Sequence, residues 1–423
     1  MMDARKIVLS AFICMLSILT AGMSHAKEAE APFNIASKAA VLMNPNTGQI
    51  ICAKNPDIPI APASLTKIMT LVVAYDEIDN GYATLDDQVT ISEKAWRTGG
   101  SKMFLAVNSK VALQQLLEGI AVVSGNDACV AVAEHIAGVE EVFVEKMNRK
   151  ASEIGMKNTI FKNSHGLPKK QHTTARDMAL LAGYYINRHP ESLKIHSIKE
   201  MTYNSITQKN RNGLLWLDDG FDGLKTGWFS AAGYHIVATA QRDQDRFIAV
   251  VLGAQSANKR ESIADRLINY GFRNFETIEA LDPKQPLAQA SVWKGTRDHV
   301  ALGASQPLKL TIARHKIKDL VVQNDFIDTM QAPVKKGQKF GQTKILVQDQ
   351  LLATIPLVAL ENVDRAGFIK LTLHTTMLFF TKPPYWGILL LALLLVAIVI
   401  RRFAIRPKKK KPSNYRKRGD DFP

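Results

Sequence analysis

The sequence predicts an α/β (α+β) domain with a five-stranded antiparallel sheet and packed helices, followed by a small all-β domain and a C-terminal transmembrane helix. Helical periodicity dominates the region from about residue 64 to residue 187, whereas strand-like alternation and turn signals dominate residues 224–254. Short alternating runs then follow Asp282-Pro283, and an apolar run occupies residues 385–400. With 423 residues, of which 46% are apolar, the chain is long enough to form two folded domains.

Residues 1–26 are predicted to be a secretory signal peptide. Arg5 and Lys6 precede an apolar stretch at 7–22, and Ser24-His25-Ala26 offers the small-x-small pattern of a cleavage site. No cysteine follows the apolar stretch at the cut site, which argues against a lipidated N-terminus. An uncleaved N-terminal anchor is the alternative interpretation.

The first folded domain is predicted at residues 27–279. It begins with a hairpin, because two short apolar runs flank the turn Asn44-Pro45-Asn46-Thr47-Gly48. A closing helix is predicted from about residue 260 to 270, ending at Gly271. Apolar residues at helical spacing predict five earlier helices, at about 64–80, 111–123, 128–137, 140–154 and 174–187. Three strands with short connections, hence antiparallel neighbours, are predicted at 224–229, 234–240 and 247–254.

A small all-β domain is predicted at residues 280–376. Its strands are indicated by short alternating runs at 308–312, 344–348 and 351–355, and Lys336-Gly337 provides a turn. No catalytic cluster is recognisable in this region. A spacer between the first domain and a membrane is the simplest role for it.

A transmembrane anchor is predicted at residues 385–402, and a basic cytoplasmic tail at 403–423. Every residue from 385 to 400 is apolar or Gly, although a helix of that length is slightly short for a hydrocarbon core. A buried core helix is therefore the alternative interpretation. The basic residues that begin with Arg401-Arg402 favour a single N-out, C-in span of the cytoplasmic membrane, because positive residues concentrate on the inner side.

The net charge of +15 is distributed unevenly along the chain. Ten Lys or Arg residues against two Asp residues place +8 of it in the tail, and the signal segment carries another +1. The remaining +6 makes a mildly basic ectodomain that would suit an anionic polymer or surface. Nucleic acid is not the expected partner, because the basic run lies beside a membrane span and lacks interleaved aromatic residues.

The three cysteines do not suggest a disulfide framework. Cys14 leaves with the signal peptide, and Cys52 and Cys129 remain. Buried free thiols are the prediction for these two residues.

A serine and a lysine, Ser64 and Lys67, lie three residues apart at the predicted start of an apolar helix. That spacing puts both side chains on one face of the helix, where they can touch. A lysine that burial or a second cation keeps neutral can remove the proton of a serine hydroxyl and so activate it as a nucleophile. Free N–H groups at the helix start would favour an oxyanion. The same Ser-x-x-Lys pattern recurs at Ser256/Lys259 and Ser291/Lys294.

Two further motifs follow the first one in the chain, namely Ser124-Gly125-Asn126 and Lys225-Thr226-Gly227. This ordered trio resembles the signature of the penicillin-binding proteins and serine β-lactamases. From about residue 34 to 375, the chain resembles the type-5 D-alanyl-D-alanine carboxypeptidases, which are low-molecular-mass penicillin-binding proteins. The segments that carry the resemblance are Ala63-Ser64-Leu65-Thr66-Lys67-Ile68-Met69-Thr70, Ser124-Gly125-Asn126-Asp127-Ala128-Cys129, Thr174-Ala175-Arg176-Asp177-Met178-Ala179-Leu180 and Asp222-Gly223-Leu224-Lys225-Thr226-Gly227.

The resemblance implies a catalytic domain with the fold of the serine β-lactamases and penicillin-binding proteins, and a mechanism of acyl transfer to water. Ser64 would attack the carbonyl of the penultimate D-alanine, with neutral Lys67 as the base. Lys225 is the second cation that could lower the pKa of Lys67. Ser124 would pass a proton to the leaving D-alanine, and Asn126 would orient Lys67 and the substrate amide.

The resemblance also implies a substrate groove along the strand that carries the third motif. Thr226, together with Lys225, would bind the terminal carboxylate, and Gly227 would let the substrate lie against the strand as an added strand. Backbone N–H groups of Ser64 and Trp228 match the oxyanion hole of the family. Arg260, predicted on the turn after the third strand, matches the family arginine near the substrate carboxylate. His165 is interpreted as a turn residue, and Arg176-Asp177 as a structural pair.

The expected reaction removes the terminal D-alanine from peptidoglycan pentapeptides that end in D-Ala-D-Ala, as part of cell-wall biogenesis and the maintenance of cell shape. β-Lactam antibiotics would be covalent inhibitors, and neither a metal nor an organic cofactor is expected. The catalytic domain would lie on the outer, periplasmic or extracytoplasmic, side of the cytoplasmic membrane. Two features depart from the family. Trp228-Phe229 replace a frequent His-Thr, which makes the rim of the groove bulkier and more apolar. The chain is also predicted to cross the membrane, whereas the family usually ends in a helix that lies on it.

Two alternatives remain open at this point. A β-lactamase with the same nucleophile would need a placed carboxylate base, and the loop before Lys225 offers no convincing candidate. A penicillin-binding scaffold without turnover, its groove closed by Trp228, is the other alternative.

Overall fold

The computed structural model describes residues 30–368 and 383–404, together with Thr372 and Thr376. The chain divides into two compact units. The first comprises the residues through Pro283 with segments 306–323 and 343–355, and the second comprises segments 284–305 and 324–342 and the residues from Pro356 onward. The signal peptide predicted at 1–26 and the tail beyond residue 404 lie outside the described residues. The domain limits predicted at 27–279 and 280–376 stay predictions.

The described strands fall mainly after residue 200. In chain order they are β1 (Ala39–Asn44), β2 (Gln49–Lys54), β3 (Gln88–Thr90), β4 (Lys110–Ala112), β5 (Glu200–Tyr203), β6 (Ile206–Lys209), β7 (Phe221–Phe229), β8 (Gly233–Arg242), β9 (Asp245–Ala254), β10 (Phe275–Leu281), β11 (Ala288–Trp293), β12 (His299–Ala304), β13 (Leu308–Ala313), β14 (Leu320–Phe326), β15 (Thr329–Gln331), β16 (Lys339–Val347) and β17 (Gln350–Ala359).

The described α-helices lie mainly between the hairpin β1–β2 and strand β5. They are α1 (Thr66–Asp79), α2 (Glu93–Arg97), α3 (Leu113–Ala121), α4 (Asn126–Ala137), α5 (Glu140–Ile154), α6 (Ala175–Arg188), α7 (Leu193–His196), α8 (Ala257–Asn274) and α9 (Pro383–Ala404). Short 3₁₀ helices occur at Ala63–Leu65, Pro190–Ser192, Gly213–Trp216 and Arg314–Asp319.

The central sheet of the first unit has the strand order β2-β1-β9-β8-β7, and all four pairings are antiparallel. This confirms the predicted five-stranded antiparallel sheet. Both faces are buried, because successive side chains of a strand point to opposite faces and helices cover each face. Val41 and Val250 face the core that includes α1, whereas Leu42 and Val251 face the core built with α8. Strand β7 is an edge strand, so one side of its backbone is free of sheet pairing.

Helix α1 is buried along most of its length, from Thr66 to Tyr75. A helix that is apolar all round belongs in a core, and here it forms the centre of the helical layer. The 3₁₀ turn Ala63–Leu65 leads directly into it, so the Ser-x-x-Lys motif lies at its N-terminal end, as predicted. The predicted helix at 140–154 is confirmed as α5, Glu140–Ile154.

Helix α8 departs from the prediction at both ends. Its N-cap is Ser256, whose hydroxyl accepts a hydrogen bond from the Lys259 N–H at 3.2 Å, so this second Ser-x-x-Lys copy is a capping motif. The helix also continues past Gly271 to Asn274. A Cβ at Gly271 would lie 2.9 Å from the Phe247 ring, so this glycine allows close packing and does not end the helix. The third copy places Ser291 in strand β11.

The chain beyond residue 274 is rich in β-structure, as predicted. Strand β10 pairs with β13, and a six-stranded sheet has the order β14-β16-β17-β12-β11-β15. Within the second unit, β11 pairs antiparallel with β12 and parallel with β15. Its core includes Val292, Val300, Leu302, Phe340 and Leu357.

The transmembrane prediction for residues 385–402 is not confirmed. Across residues 30–368 and 383–404, no helix meets both the length and the hydropathy that crossing a membrane demands.

Two smaller predictions concern the cysteines and the pair Arg176-Asp177. Cys52 and Cys129 are buried free thiols, as predicted, and burial raises the pKa of each to about 12. Arg176 and Asp177 are both structural, but they do not pair with each other. Arg176 Nε donates to Asp57 at 2.7 Å, whereas the Asp177 carboxylate accepts from the Thr159 hydroxyl at 2.7 Å.

Candidate active site

The side chain of Lys67 is completely buried and is surrounded by three oxygen acceptors. Its Nζ lies 3.1 Å from Ser64 Oγ, 2.7 Å from Asn126 Oδ1 and 2.5 Å from the His165 carbonyl oxygen. A neutral amine has two N–H donors and one lone pair. If the donors serve the amide oxygen of Asn126 and the carbonyl of His165, the lone pair points at the Ser64 hydroxyl. The structure therefore brings the predicted nucleophile and base together in the arrangement that proton removal requires.

Burial is the main reason why Lys67 is poised to be neutral. The pKa of Lys67 is lowered to about 8, mainly by burial; the charge of Arg211 also lowers it, whereas Cys129 and Asp127 oppose the shift. The pKa of Lys225 is held well below its ordinary value, first by burial and then by the charge of Lys67. The sequence offered two causes for a low pKa of Lys67, namely burial and a second cation, Lys225. In the structure burial is the larger cause, because the ammonium loses its hydration.

The second motif places two polar side chains beside Lys67. Ser124 has a φ of +62° and is 1% exposed, and its Oγ has no hydrogen-bond partner among the described residues. A buried hydroxyl with no protein partner is available to a substrate group. Asn126, the first residue of α4, is oriented by the Gly99 carbonyl, which accepts from its Nδ2 at 2.7 Å. Its amide oxygen is therefore directed at Lys67.

Asp127 fixes the loop that borders Asn126. Its carboxylate accepts from the backbone N–H groups of Met103 at 2.9 Å and Phe104 at 3.0 Å. The neighbouring Ser101 carbonyl accepts from the Asn126 N–H at 2.7 Å. These bonds hold residues 99–105 against the start of α4, so the orientation of Asn126 is shared with this loop.

The third motif lies on the edge strand β7, next to the turn that carries Ser64. Lys225 and Thr226 are buried, and Lys225 Nζ donates to the Thr226 carbonyl at 3.3 Å. A Cβ at Gly227 would lie 3.3 Å from the Ser64 nitrogen and 3.4 Å from Ala63 Cβ. Glycine therefore permits the close approach of β7 to the nucleophile turn, which brings the Ser64 N–H to the strand that carries Trp228.

Trp228 projects outward from the end of β7. Its side chain is 57% exposed and stacks across the strand pair on Tyr234, with ring centroids 6.0 Å apart. An indole this exposed is not packed into the groove, which weighs against the closed-groove alternative.

Arg260 lies in the first turn of α8 instead of on the predicted turn after the third strand. It is 6% exposed, and its Nη2 donates to the Arg211 carbonyl at 3.0 Å. Its Nε has no partner among the described residues, and its guanidinium lies 5.9 Å from the Tyr234 ring. Its Nη2 also lies 3.4 Å from the Glu261 carboxylate, so Nε is the donor that remains for a substrate carboxylate.

Three contributors to the site were not identified from the sequence. Arg211 belongs to no motif, yet its charge acts on Lys67, Lys225 and Arg260, and its Nη1 donates to Ser101 Oγ at 2.8 Å. The second contributor is a backbone atom, the His165 carbonyl, which carries no residue-type signal.

The third contributor is Gly166. Its φ is +92°, and a Cβ there would lie 1.9 Å from the Ala63 carbonyl oxygen. The His-Gly dipeptide was the available signal for this segment, and it was interpreted only as a turn. The ring of His165 is not available as a base, because burial and the charge of Lys67 lower its pKa to about 4 and its Nδ1 accepts from the Leu167 N–H at 3.2 Å.

No group of three or more His, Cys, Asp or Glu side chains within the described part of the chain is arranged to hold a metal ion.

Comparison with known proteins identifies two families along the chain. The D-alanyl-D-alanine carboxypeptidase family, Peptidase S11, matches residues 25–256, and the C-terminal domain of penicillin-binding protein 5 matches residues 275–365. The D-alanyl-D-alanine carboxypeptidase DacC of Escherichia coli K12 is 39% identical over 348 residues, covering 80% of this chain and 87% of the relative. The corresponding DacA of Haemophilus influenzae is 39% identical over 366 residues, covering 85% and 93%.

Solved structures agree with this assignment. Penicillin-binding protein 5 from Haemophilus influenzae superposes with a TM-score of 0.74 at 39% identity, covering 80% of this chain and all of that one. Penicillin-binding protein D2 from Listeria monocytogenes in its ampicillin-bound form gives a TM-score of 0.53 at 28% identity, covering 57% and 100%. The chain belongs to the D-alanyl-D-alanine carboxypeptidase family of penicillin-binding proteins, and its function is that of a serine D,D-carboxypeptidase.

Proposed function

We propose that this chain removes the terminal D-alanine from peptidoglycan pentapeptides through an acyl-enzyme on Ser64. The observation that carries the proposal is the buried amine of Lys67, 3.1 Å from Ser64 Oγ and fixed on its other sides by Asn126 and the His165 carbonyl. Since the pKa of Lys67 is lowered to about 8, about a tenth of the amine is neutral at pH 7, far more than for an ordinary lysine.

In the acylation step, Ser64 Oγ bonds to the carbonyl carbon of the penultimate D-alanine while its proton passes to Lys67 Nζ. The carbonyl oxygen becomes an oxyanion, which the N–H groups of Ser64 and Trp228 would stabilise. Collapse of the tetrahedral intermediate breaks the C–N bond. The proton that Lys67 took from Ser64 passes through Ser124 Oγ to the leaving amine, which leaves Lys67 neutral again; this buried hydroxyl has no partner among the described residues.

The leaving group is a free D-alanine, so the site must also bind a carboxylate. Thr226, Lys225 and Arg260 supply the hydroxyl and the cations, and the unused Nε of Arg260 is one available donor. In deacylation, a water molecule gives a proton to Lys67 and its oxygen to the ester carbon. The proton then returns to Ser64 Oγ, and the enzyme is restored.

β-Lactams are proposed to acylate the same hydroxyl, because their strained amide carbonyl can occupy the same position. The Listeria penicillin-binding protein D2 has been solved in ampicillin-bound and cefotaxime-bound forms. Two carboxylates near Lys67 are engaged by other groups, Asp127 by backbone N–H groups and Glu140 by Ser164. Neither is free to activate the hydrolytic water, which favours a long-lived penicilloyl enzyme over a β-lactamase.

The anchoring of this enzyme in the cytoplasmic membrane, with the catalytic unit on the outer side, is also proposed. Support comes from the apolar run at 385–400 and the basic residues after it. The apolar side chains of α9 are largely exposed, for example Leu390 at 64% and Leu394 at 63%. Deleting residues 385–423 should release the protein from membranes. Persistent attachment of that variant would place the anchor elsewhere.

The test of the catalytic proposal uses the full-length chain and its Ser64→Ala variant. Each is incubated with a labelled penicillin and, separately, with a peptide that ends in D-Ala-D-Ala. Covalent label on the wild type only, together with release of D-alanine, is the expected result. Label without D-alanine release would indicate an inert penicillin-binding scaffold, and rapid loss of label as penicilloic acid would indicate a β-lactamase. Labelling of Ser64→Ala would refute the assignment of the nucleophile.

A further inference from the structure

A buried carboxylate, that of Glu140, lies behind the active site and takes no part in the mechanism described above. Glu140 is the first residue of α5 and is 8% exposed. Its Oε1 accepts from the Ser164 N–H at 3.0 Å and from the Ser164 hydroxyl at 2.8 Å, and its Oε2 lies 3.2 Å from Lys94 Nζ. Burial opposes ionisation, yet the hydrogen bonds from Ser164 leave the pKa of Glu140 below its ordinary value.

The residues that Glu140 holds are the ones that contact helix α1. The Ser164 carbonyl accepts from Thr70 Oγ1 at 2.5 Å, and the next carbonyl, that of His165, accepts from Lys67 Nζ at 2.5 Å. Residues 164 and 165 are therefore bonded to α1 on one side and to the first residue of α5 on the other. A shift of the Ser164 carbonyl would also move the His165 Cα that carries the next carbonyl, because both belong to one planar peptide unit.

We propose that Glu140 is a positioning residue for acylation, which fixes the His165 carbonyl through Ser164 and thereby directs the lone pair of Lys67 at Ser64. This inference rests on the proposed function of Lys67 as the base. A neutral amine that lost the His165 acceptor could rotate, and its lone pair would no longer be confined to the direction of Ser64 Oγ. A small misalignment of the Lys67 lone pair lowers the acylation rate without abolishing binding.

The two bonds to Ser164 come from a neutral N–H and a hydroxyl, so they require an acceptor oxygen and not the negative charge, which serves the Lys94 contact that Glu141 shares. Glu140 Oε1 serves two donors of one residue, whereas His165 Nε2 lies 3.6 Å from it, beyond a good hydrogen bond. Glutamine keeps an acceptor oxygen of the same reach, and alanine removes it. The next residue provides a matched control, because Glu141 also contacts Lys94, at 3.3 Å, but its side chain is 72% exposed.

The experiment compares full-length Glu140→Gln, Glu140→Ala and Glu141→Ala with the wild type. Stopped-flow acylation by a fluorescent penicillin separates the dissociation constant of the non-covalent complex from the acylation rate constant, and thermal unfolding gives the folded fraction. Glu140→Ala should lower the acylation rate constant at least about tenfold while the dissociation constant changes less than about twofold. Glu140→Gln and Glu141→Ala should stay within about threefold of the wild type.

Two results would overturn the inference. In the first, Glu140→Ala acylates at the wild-type rate per folded molecule, which would show that Glu140 only stabilises the fold. In the second, Glu140→Gln acylates as slowly as Glu140→Ala, which would show that the negative charge is required. If Glu140→Ala does not fold, Ser164→Ala removes one of the two bonds and should slow acylation at least about threefold; an unchanged rate there also refutes the inference. A wild type that is not acylated at all would instead refute the proposed function.

Discussion

Replacing Gly166 by alanine should disable acylation through a steric effect on the nucleophile turn. At φ +92° a Cβ would lie 1.9 Å from the Ala63 carbonyl oxygen, 2.5 Å from its carbon and 3.1 Å from the Ser64 nitrogen. Since such contacts rarely fall below 3.0 Å, one of the two backbone segments must shift by about 1 Å. Either shift acts on the reaction, because one segment carries Ser64 and the other carries the His165 carbonyl.

The expected loss of stability in Gly166→Ala has two contributions. The left-handed backbone costs a non-glycine residue about 1–2 kcal/mol, and overpacking adds about 1–3 kcal/mol. The free energy of unfolding should therefore fall by about 2–5 kcal/mol, which lowers the Tm by at least about 4 °C for a unit of this size. A displacement of about 1 Å at the reacting groups should slow acylation by roughly 100-fold.

Gly155 provides the matched control. It has nearly the same φ, +88°, but a Cβ there would meet no atom within 4 Å. Gly155→Ala should therefore lose only the backbone term of about 1–2 kcal/mol and acylate normally. The assay is the rate of labelling by a fluorescent penicillin at a temperature where both variants are folded. Labelling of Gly166→Ala within about threefold of Gly155→Ala would refute the reasoning.

Three further predictions concern the titration of Lys67, the helix cap and metal independence. The acylation rate should rise with pH, reach half of its maximum near pH 8 and level off above it, because only the neutral amine of Lys67 can accept the proton. Arg211→Met should raise the pKa of Lys67 and move the rise to higher pH, and a pH–rate profile that does not move would contradict the assigned effect of Arg211. Ser256→Ala should lower the free energy of unfolding by about 1 kcal/mol, because it removes the helix cap. Unlike Ser64→Ala, it should leave penicillin labelling intact. Loss of labelling would show that the second Ser-x-x-Lys copy is more than a cap. Incubation with EDTA should leave D-alanine release unchanged, and a loss that added metal restores would contradict the mechanism.

The groups that could be predicted from the sequence are those whose chemistry is local to a short motif. Ser64 and Lys67 share a helical turn, and Lys225-Thr226-Gly227 sits on a strand that alternation identifies. These residues meet because β7 packs beside the turn Ala63–Leu65. That long-range contact was inferred from the family resemblance and not from the residue patterns.

The remaining groups depend on contacts between distant parts of the chain. The His165 carbonyl acts through a backbone atom, and Arg211 acts through its charge at a distance, so neither has a residue pattern that points to Lys67. At Gly271 a residue pattern was present but was misinterpreted as the end of a helix. A glycine near the end of a helical pattern usually marks a C-terminus, but here the Phe247 ring occupies the space that a Cβ would need.

The sheet order also determines when Ser64 can become reactive. Strand β1 precedes Ser64 and pairs with β9, from Ala39 opposite Leu252 to Met43 opposite Ile248. The amine of Lys67 loses its hydration only when these long-range pairings close the core around it, and in an unfolded chain it is an ordinary ammonium. A nascent chain that ends before β9 therefore carries the nucleophile but not its activation. Covalent capture of a penicillin is in this way a reporter of completed folding, and pulses of the drug during refolding would time the last steps of sheet assembly.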